Sequence, residues 1–222
     1  YIPNHTNDIS KIFFNKISNF FGGYLKYSKT LSVKIDPTSK IINFKQNKPD
    51  DWVLFVNVNI GQWKIFFDGI EQTQNKNNNN IERINNHGLT GCLNFYQSIF
   101  NNSSIKVNNG KCEDSLNIIN SKGKIKNVEI FNAFSDGLDV DFSNIKFVKI
   151  LVIKSGNDCL DVSAGRYEIK KIIAKKCGDK GVSVGEKSNM SIEILDVSNA
   201  FTGLSSKDLS ITSVKHTIQE NV

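Results

Sequence analysis

Proline is scarce in this chain, with three among 222 residues. Proline breaks strand ladders and helix interiors, so its rarity leaves long stretches free to pair backbone with backbone. Arginine is rarer still, present only as Arg83 and Arg166. The excess of base over acid, 28 residues against 22, is therefore almost all lysine, and it is spread along the chain. A nucleic-acid footprint needs clustered base, usually with arginine, so no nucleic-acid partner is expected. No apolar run approaches the ~20 residues that span a bilayer, so no membrane span is expected. No signal peptide is evident, and the chain opens at Tyr1 rather than Met, as a mature form, a fragment or the ordered part of something longer would. The four cysteines, Cys92, Cys112, Cys159 and Cys177, lack metal-ligand spacing. They are expected as small buried residues rather than as a disulfide framework. His5, His87 and His216 share no spacing with a nucleophile and are expected to be incidental.

What the chain does have is a repeat. Ser135 to Val140, Asn157 to Val162 and Asp179 to Val184 are near-copies of one phrase, each starting ~22 residues after the last. Fainter copies sit upstream at Glu113 to Ile118 and downstream at Phe201 to Ser206. Two aliphatic tracks share the period. One holds Leu93, Leu116, Leu138, Leu160, Val182 and Leu204; the other holds Ile105, Val128, Ile150, Ile172 and Ile194. Both slip by one residue between the same two rungs, which a coil of common circumference explains. Apolar residues two positions on, Ile118, Val140, Val162 and Val184, assign the inward face by strand alternation. The expected fold is all-β: a right-handed parallel β-helix, a solenoid of about 22 residues per rung.

The flanks are read separately. Ile9, Ile12, Phe13, Ile17, Phe20 and Phe21 make one helical stripe, with Asn7 or Asp8 to cap it and Gly22-Gly23 to end it. This predicts an amphipathic helix over 8–21, serving within residues 1–29 as the cap that an open solenoid end needs. Residues 30–90 carry short β-like runs and an Asn-rich loop at 75–80, either as early irregular rungs or as a flanking β-region. Regular coils are expected over 91–222, truncated or continuing at the end.

Outward positions carry the candidate chemistry. Asp139 and Asp161 should stack one rung apart, about 4.8 Å, on an exposed sheet, with Asp141 beside them. Like charges so placed raise each other's pKa and invite a cation, so Asp139 and Asp161 are candidate Ca²⁺ ligands. Asp139, Asp141, Asp161 and Lys187 are the candidate substrate-binding set. A second column, Asp114, Asp136, Asp158 and Lys180, lies just before the strands; corner residues that satisfy the backbone are the competing explanation there. Trp52, Trp63, Phe95 and Tyr96 are expected as core or edge aromatics rather than a sugar platform.

Phe134-Ser135-Asp136-Gly137-Leu138-Asp139, Gly156-Asn157-Asp158-Cys159 and Asp179 to Gly185 resemble, in order and spacing, motifs of the polygalacturonase-type glycoside hydrolases, within the pectate-lyase-like β-helix proteins. The resemblance spans residues 133–185. It implies that Asp136 and Asp158 activate water in an inverting hydrolysis, with Lys180 where that family has His. Asn157 replaces the general acid, and an amide cannot supply that proton. Gly178 to Ser188 also resembles a rung of bacterial β-helix repeat proteins. Two functions follow: a secreted or cell-surface module that binds polysaccharide or a surface glycan, or a protein through a face or open end, without catalysis; or a polysaccharide lyase or glycoside hydrolase acting on an acidic polysaccharide. In the lyase variant Ca²⁺ would hold a uronate and Lys180 would abstract a proton.

Overall fold

A computed structural model describes residues 14–71 and 82–222. Every regular element among them is a β-strand. The strands form two sheets, one of nine strands and one of ten. Each coil gives one strand to the first sheet and one to the second, and partners in adjacent coils run parallel about 22 residues apart. The protein is thus an all-β parallel solenoid. In the first sheet Leu116, Leu138, Leu160, Val182 and Leu204 stack in register. Leu138, Val140, Leu160, Val162, Val182 and Val184 are fully buried, and Val128, Ile150 and Ile172 of the second sheet face them across the core. Each such side chain contributes ~1.5–3 kcal/mol of burial, which makes the aliphatic ladders the main source of stability.

The coil closes because each turn bends twice at residues of left-handed backbone conformation. One corner column is Asn57, Gln97, Asn120, Phe142, Ala164, Glu186 and Asp208, with φ from 47° to 55°. The other is Asn109, Asn132, Lys154, Lys176, Asn199 and Asn221. Such a residue turns the chain while keeping its N–H along the solenoid axis. Asn120 donates to Asp141 O at 2.9 Å, Phe142 to Ser163 O at 2.9 Å and Asn132 to Ile153 O at 3.0 Å, each in the next coil. Asparagine tolerates this conformation better than most residues, which explains much of its abundance. Its amides also stack, Asn132 Nδ2 donating to Asn109 Oδ1 at 3.1 Å.

Three expectations are corrected. First, the helix over 8–21 does not form where it can be seen; residues 8–13 lie outside the described set. Phe14–Phe20 is a strand, paired antiparallel with Gly23–Ser28 across a turn at Phe21-Gly22, both of positive φ. A bulge at Asn19 resets the alternation, so Ile17 and Phe20 reach the same side three residues apart and imitate a helical stripe. Gly23–Ser28 pairs antiparallel with Val53–Val56, and Ser32–Asp36 with Ile41–Lys45, so each sheet ends in a hairpin at the N-terminal side. Second, the cysteines are paired. Cys92–Cys112 and Cys159–Cys177 each tie the start of one coil to its end, over 20 and 18 residues of sequence. One coil brings its ends back within disulfide reach, which spacing alone did not reveal. The extra residue behind the early slip lies in the Asn108-to-Asp114 corner that holds Cys112. Third, the second track continues through Leu195, not Ile194. Two residues of positive φ, Glu186 and Lys187, lengthen the preceding corner and set Ile172 against Leu195.

The region left open between early rungs and a flanking unit stacks directly on the regular coils. Val53–Val56 pairs parallel with Gly91–Tyr96, and Lys64–Asp68 with Ile99–Asn108. The Asn-rich stretch 75–80 lies outside the described residues.

Two outcomes test this account. Asn132→Val should cost about 1–2 kcal/mol in denaturant unfolding, because a β-branched residue resists positive φ, whereas Asn132→Gly should be nearly neutral. Reduction of the disulfides should lower stability by about 3 kcal/mol for each loop opened, read as a drop in the denaturant midpoint with reductant present.

Candidate functional site

The two predicted acidic columns differ in what their carboxyls do. Asp136 and Asp158 sit at the corner entering the first sheet, nearly closed off from solvent. Asp136 Oδ1 accepts the Asp158 N–H at 2.7 Å and the Asn157 amide at 2.8 Å. Asp158 Oδ1 accepts the Lys180 N–H at 2.9 Å, and the Lys180 ammonium lies 3.5 Å away. Each carboxyl thereby ties its own coil to the next. Lys180 also bonds Asp179, and that contact, ahead of the pull of Asp158, raises its pKa. A lysine held so firmly as ammonium makes a poor proton-abstracting base at neutral pH.

The outward column of the first sheet is Asn94, Asn117, Asp139, Asp161, Ser183 and Ser205, one residue per coil. It was expected to lie on an exposed sheet, and here the structure differs. Asn94, Asn117 and Ser183 are buried. The segment before Gly91 folds over this face, and Asn117 Nδ2 donates to Thr90 Oγ1 at 2.7 Å. Asn117 Nδ2 also reaches Asp114 at 3.0 Å and Asp139 at 3.4 Å. Farther along, the face opens into a groove of about 380 Å³ lined by Asp139, Asp141, Asp161, Glu186 and Asp208, with Arg83, Lys207 and Phe142. The structure thus brings Asp139, Asp141 and Asp161 together. Lys187 does not line this groove; its neighbour Glu186 does.

Crowding shapes the acidity of these groups. Burial pushes Asp139 up to about 10, and Asp114, Asp141 and Asp161 add to the rise. Asp141 goes up to about 6, first by burial and then through Asp114, Asp161 and Glu186. Burial also raises Asp161, against a hydrogen bond from Ser183 and the pull of Lys207 and Lys180. Asp136 rises to about 7 by burial, despite the hydrogen bonds it accepts. Asp139 therefore keeps its proton at neutral pH while Asp141 has largely lost its own. Among the described residues no group of three or more His, Cys, Asp or Glu side chains is arranged to hold a metal ion.

The residue that sequence reading missed is Phe142. It is 60% exposed, sits at a left-handed corner with φ 50° and rims the acidic groove. The signal was an apolar residue at the corner where Asn120 and Ala164 stand in the neighbouring coils, but the corner column was not phased in sequence. Trp52, buried with its ring tilted 50° to that of His87 at 4.7 Å, and Phe95, stacked 4.6 Å from Phe55, are packing residues as expected. Trp52 lines a second cavity of about 290 Å³ with Asn85, Leu89 and Lys111. Tyr167, buried in the core, shares its hydroxyl proton between Val140 O and Ser163 O and braces the strands under the groove.

The raised carboxyls set a pH dependence. An unfolded Asp titrates near 3.9, whereas Asp136, Asp139 and Asp141 hold their protons to higher pH when folded. The native state then binds more protons than the unfolded state above about pH 4, so stability falls as pH rises through the folded values. The melting temperature should be higher near pH 5 than near pH 8. Asp139→Asn should raise it at pH 8 and change it little at pH 4, in melts followed by circular dichroism; a flat profile for the parent chain would refute the arrangement.

No family model, curated protein or solved structure matches the chain, so its likeness to the polygalacturonase-type hydrolases rests on the motifs of residues 133–185.

Proposed function

We propose that this solenoid is a glycan-binding module of the secreted or cell-surface space, and that a sugar chain lies in the acidic groove. Phe142 carries the reading. A bulky residue at positive φ is a backbone cost, and an exposed ring is a solvation cost. The fold asks for neither, since Asn120 and Ala164 make the same bend. An exposed aromatic beside carboxyls offers an apolar face for the C–H side of a sugar ring and acceptors for its hydroxyls. The motif resemblance of residues 133–185 adds an argument by analogy for a carbohydrate ligand. Two disulfides support an oxidising compartment. The corner carboxyls Asp136 and Asp158, engaged between coils, are the less suitable contacts for a ligand.

Hydrolysis is the second reading, favoured by one observation. Asp139 and Asp141 share a strand face two residues apart, so their backbones are about 6.6 Å apart, a spacing that suits the ~6.5–9.5 Å between the carboxyls of inverting glycosidases. Their acidities are split as an acid and a base would require, at about 10 and about 6. Release of reducing ends that disappears in both Asp139→Asn and Asp141→Asn would establish it over simple binding.

The binding reading has a direct test. Phe142→Asn should keep or slightly raise the melting temperature, because Asn suits the corner, yet weaken glycan binding at least about tenfold, a loss of ~1.4 kcal/mol. Unchanged binding to every glycan that the parent chain recognises would remove Phe142, and this reading, from consideration.

A further inference from the structure

We infer that the second sheet carries a binding site of its own, separate from the acidic groove, for an anionic polysaccharide chain bearing carboxylate or sulfate groups. Lysines that are scattered in sequence are collected by the coil. The adjacent strands Lys122–Phe131, Asn144–Ser155 and Arg166–Cys177 hold eleven of the 28 basic residues, each at least partly exposed, against two acids, Glu129 and Glu168. In the same three coils the first-sheet strands Asp114–Ile119, Asp136–Asp141 and Leu160–Ser163 hold five Asp and no base. The two sheets are thus of opposite sign. A solvated face needs polar side chains but not one sign of charge, and like charges in neighbouring strands repel. The Lys146–Glu168 pair, 2.9 Å apart in successive coils, shows how the face is neutralised where an acid is supplied. Elsewhere base is left in excess, which is the pattern of a surface that meets a polyanion.

The second observation is one of shape. An open trough of about 610 Å³ runs along this face across five successive coils, from Lys124 to Lys215. At ~4.8 Å per coil it is about 19 Å long, room for several sugar rings in a row. Its origin is a bend. Two residues, rather than one, separate buried Phe147 from buried Ile150, and the register pairing of each strand with the next skips a position there. One wall is the in-register column of Lys124, Lys146, Glu168 and two serines; the other is the skipped column, with Lys170, Glu193 and Lys215. Lys124, Lys170 and Lys215 form no ion pair among the described residues. A chain lying along the solenoid axis would therefore meet an unpaired ammonium on either side. Arginine and exposed aromatic rings are both missing from the lining, Phe147 being buried, so the bases of a nucleic acid would find nothing to stack on. A linear sugar chain with charges at intervals needs only the cations and the trough.

The test is calorimetry on the intact chain with a galacturonate oligomer, dextran sulfate, neutral dextran, a single-stranded oligodeoxynucleotide and polyglutamate. The two anionic saccharides should bind and neutral dextran should not. Raising salt from about 50 to about 200 mM should weaken them at least about tenfold. Lys124→Glu combined with Lys170→Glu should also cost at least about tenfold, with a thermal melt to show that the variant folds, whereas Lys124→Arg with Lys170→Arg should keep the affinity. Lys40→Glu with Lys48→Glu makes the same change of net charge at exposed lysines outside the trough, and should cost less than about twofold. Equal losses in the two charge-reversed variants would overturn the inference, since net charge alone would then explain binding. Failure of both anionic saccharides to bind at low salt would overturn it as well. Tighter binding of the oligodeoxynucleotide or of polyglutamate than of either saccharide would overturn it in favour of a nucleic acid or an acidic protein. Phe142 does not line the trough, so Phe142→Asn should leave this binding unchanged; its loss there would overturn the inference by placing the anionic chain in the acidic groove.

Discussion

Every coil must turn twice while its peptide groups stay parallel to the solenoid axis, and the rest of the structure depends on how it does so. A residue of positive φ at each corner bends the chain and still delivers its N–H to the carbonyl of the next coil. With both corners fixed, each coil has a set circumference, and residues 22 apart are forced into register. Where a corner gains a residue, as at Cys112 or at Glu186-Lys187, the partner shift is 23 and the ladder continues beyond it. The inward ladders and the outward columns follow from this one constraint. A solenoid therefore amplifies its repeat: an acidic residue that recurs once per coil becomes a stack of carboxyls, whatever it was selected for.

That amplification divides the acidic residues into two kinds. Asp136 and Asp158 are stacked, but each spends an oxygen on the backbone of the coil above, so the fold is better for having them. Asp139, Asp141 and Asp161 make no comparable return. Burial and mutual repulsion raise their pKa values, and that rise measures how far the folded state disfavours their charge. The aliphatic ladders and two disulfides supply enough stability to carry this cost. Residues that a fold tolerates rather than needs are the ones to which function is reasonably assigned.

The parts of the architecture that rest on periodicity were legible in the chain. Leu138 with Leu160 and Asp139 with Asp161 are register partners because side-chain direction in a strand follows parity, and the corners between those coils keep one length. What escaped depends on the third dimension. The Asn19 bulge turned a strand into an apparent helical stripe, and the extra residue at Glu186-Lys187 moved the core position from Ile194 to Leu195. Cys159 and Cys177 meet only because one coil returns the chain to its start. Phe142 was overlooked for a related reason. In sequence it follows the Asp139-to-Asp141 strand as an ordinary hydrophobic residue, and only the corner geometry shows that it must point away from the core.

The same division bears on the likeness to the pectin-degrading hydrolases. Its most visible element here, Asp136-Gly137, answers to demands of the coil itself. The Asp carboxyl accepts the next coil's amide, and a Cβ on Gly137 would lie 2.6 Å from Cys159 O and 2.8 Å from a Val152 methyl. Gly181 is pressed in the same way by Gly203 O and Val197. Any solenoid of this circumference with a tight entry to its sheet would favour an acceptor followed by glycine, whether or not it cleaves a sugar. The motif is thus accounted for by the geometry of this coil, without any shared chemistry. Asp139, Asp141 and Asp161, with Phe142 at the groove's rim, answer to no such demand of the coil, which is why the proposed ligand site is drawn there and not at the corner carboxyls.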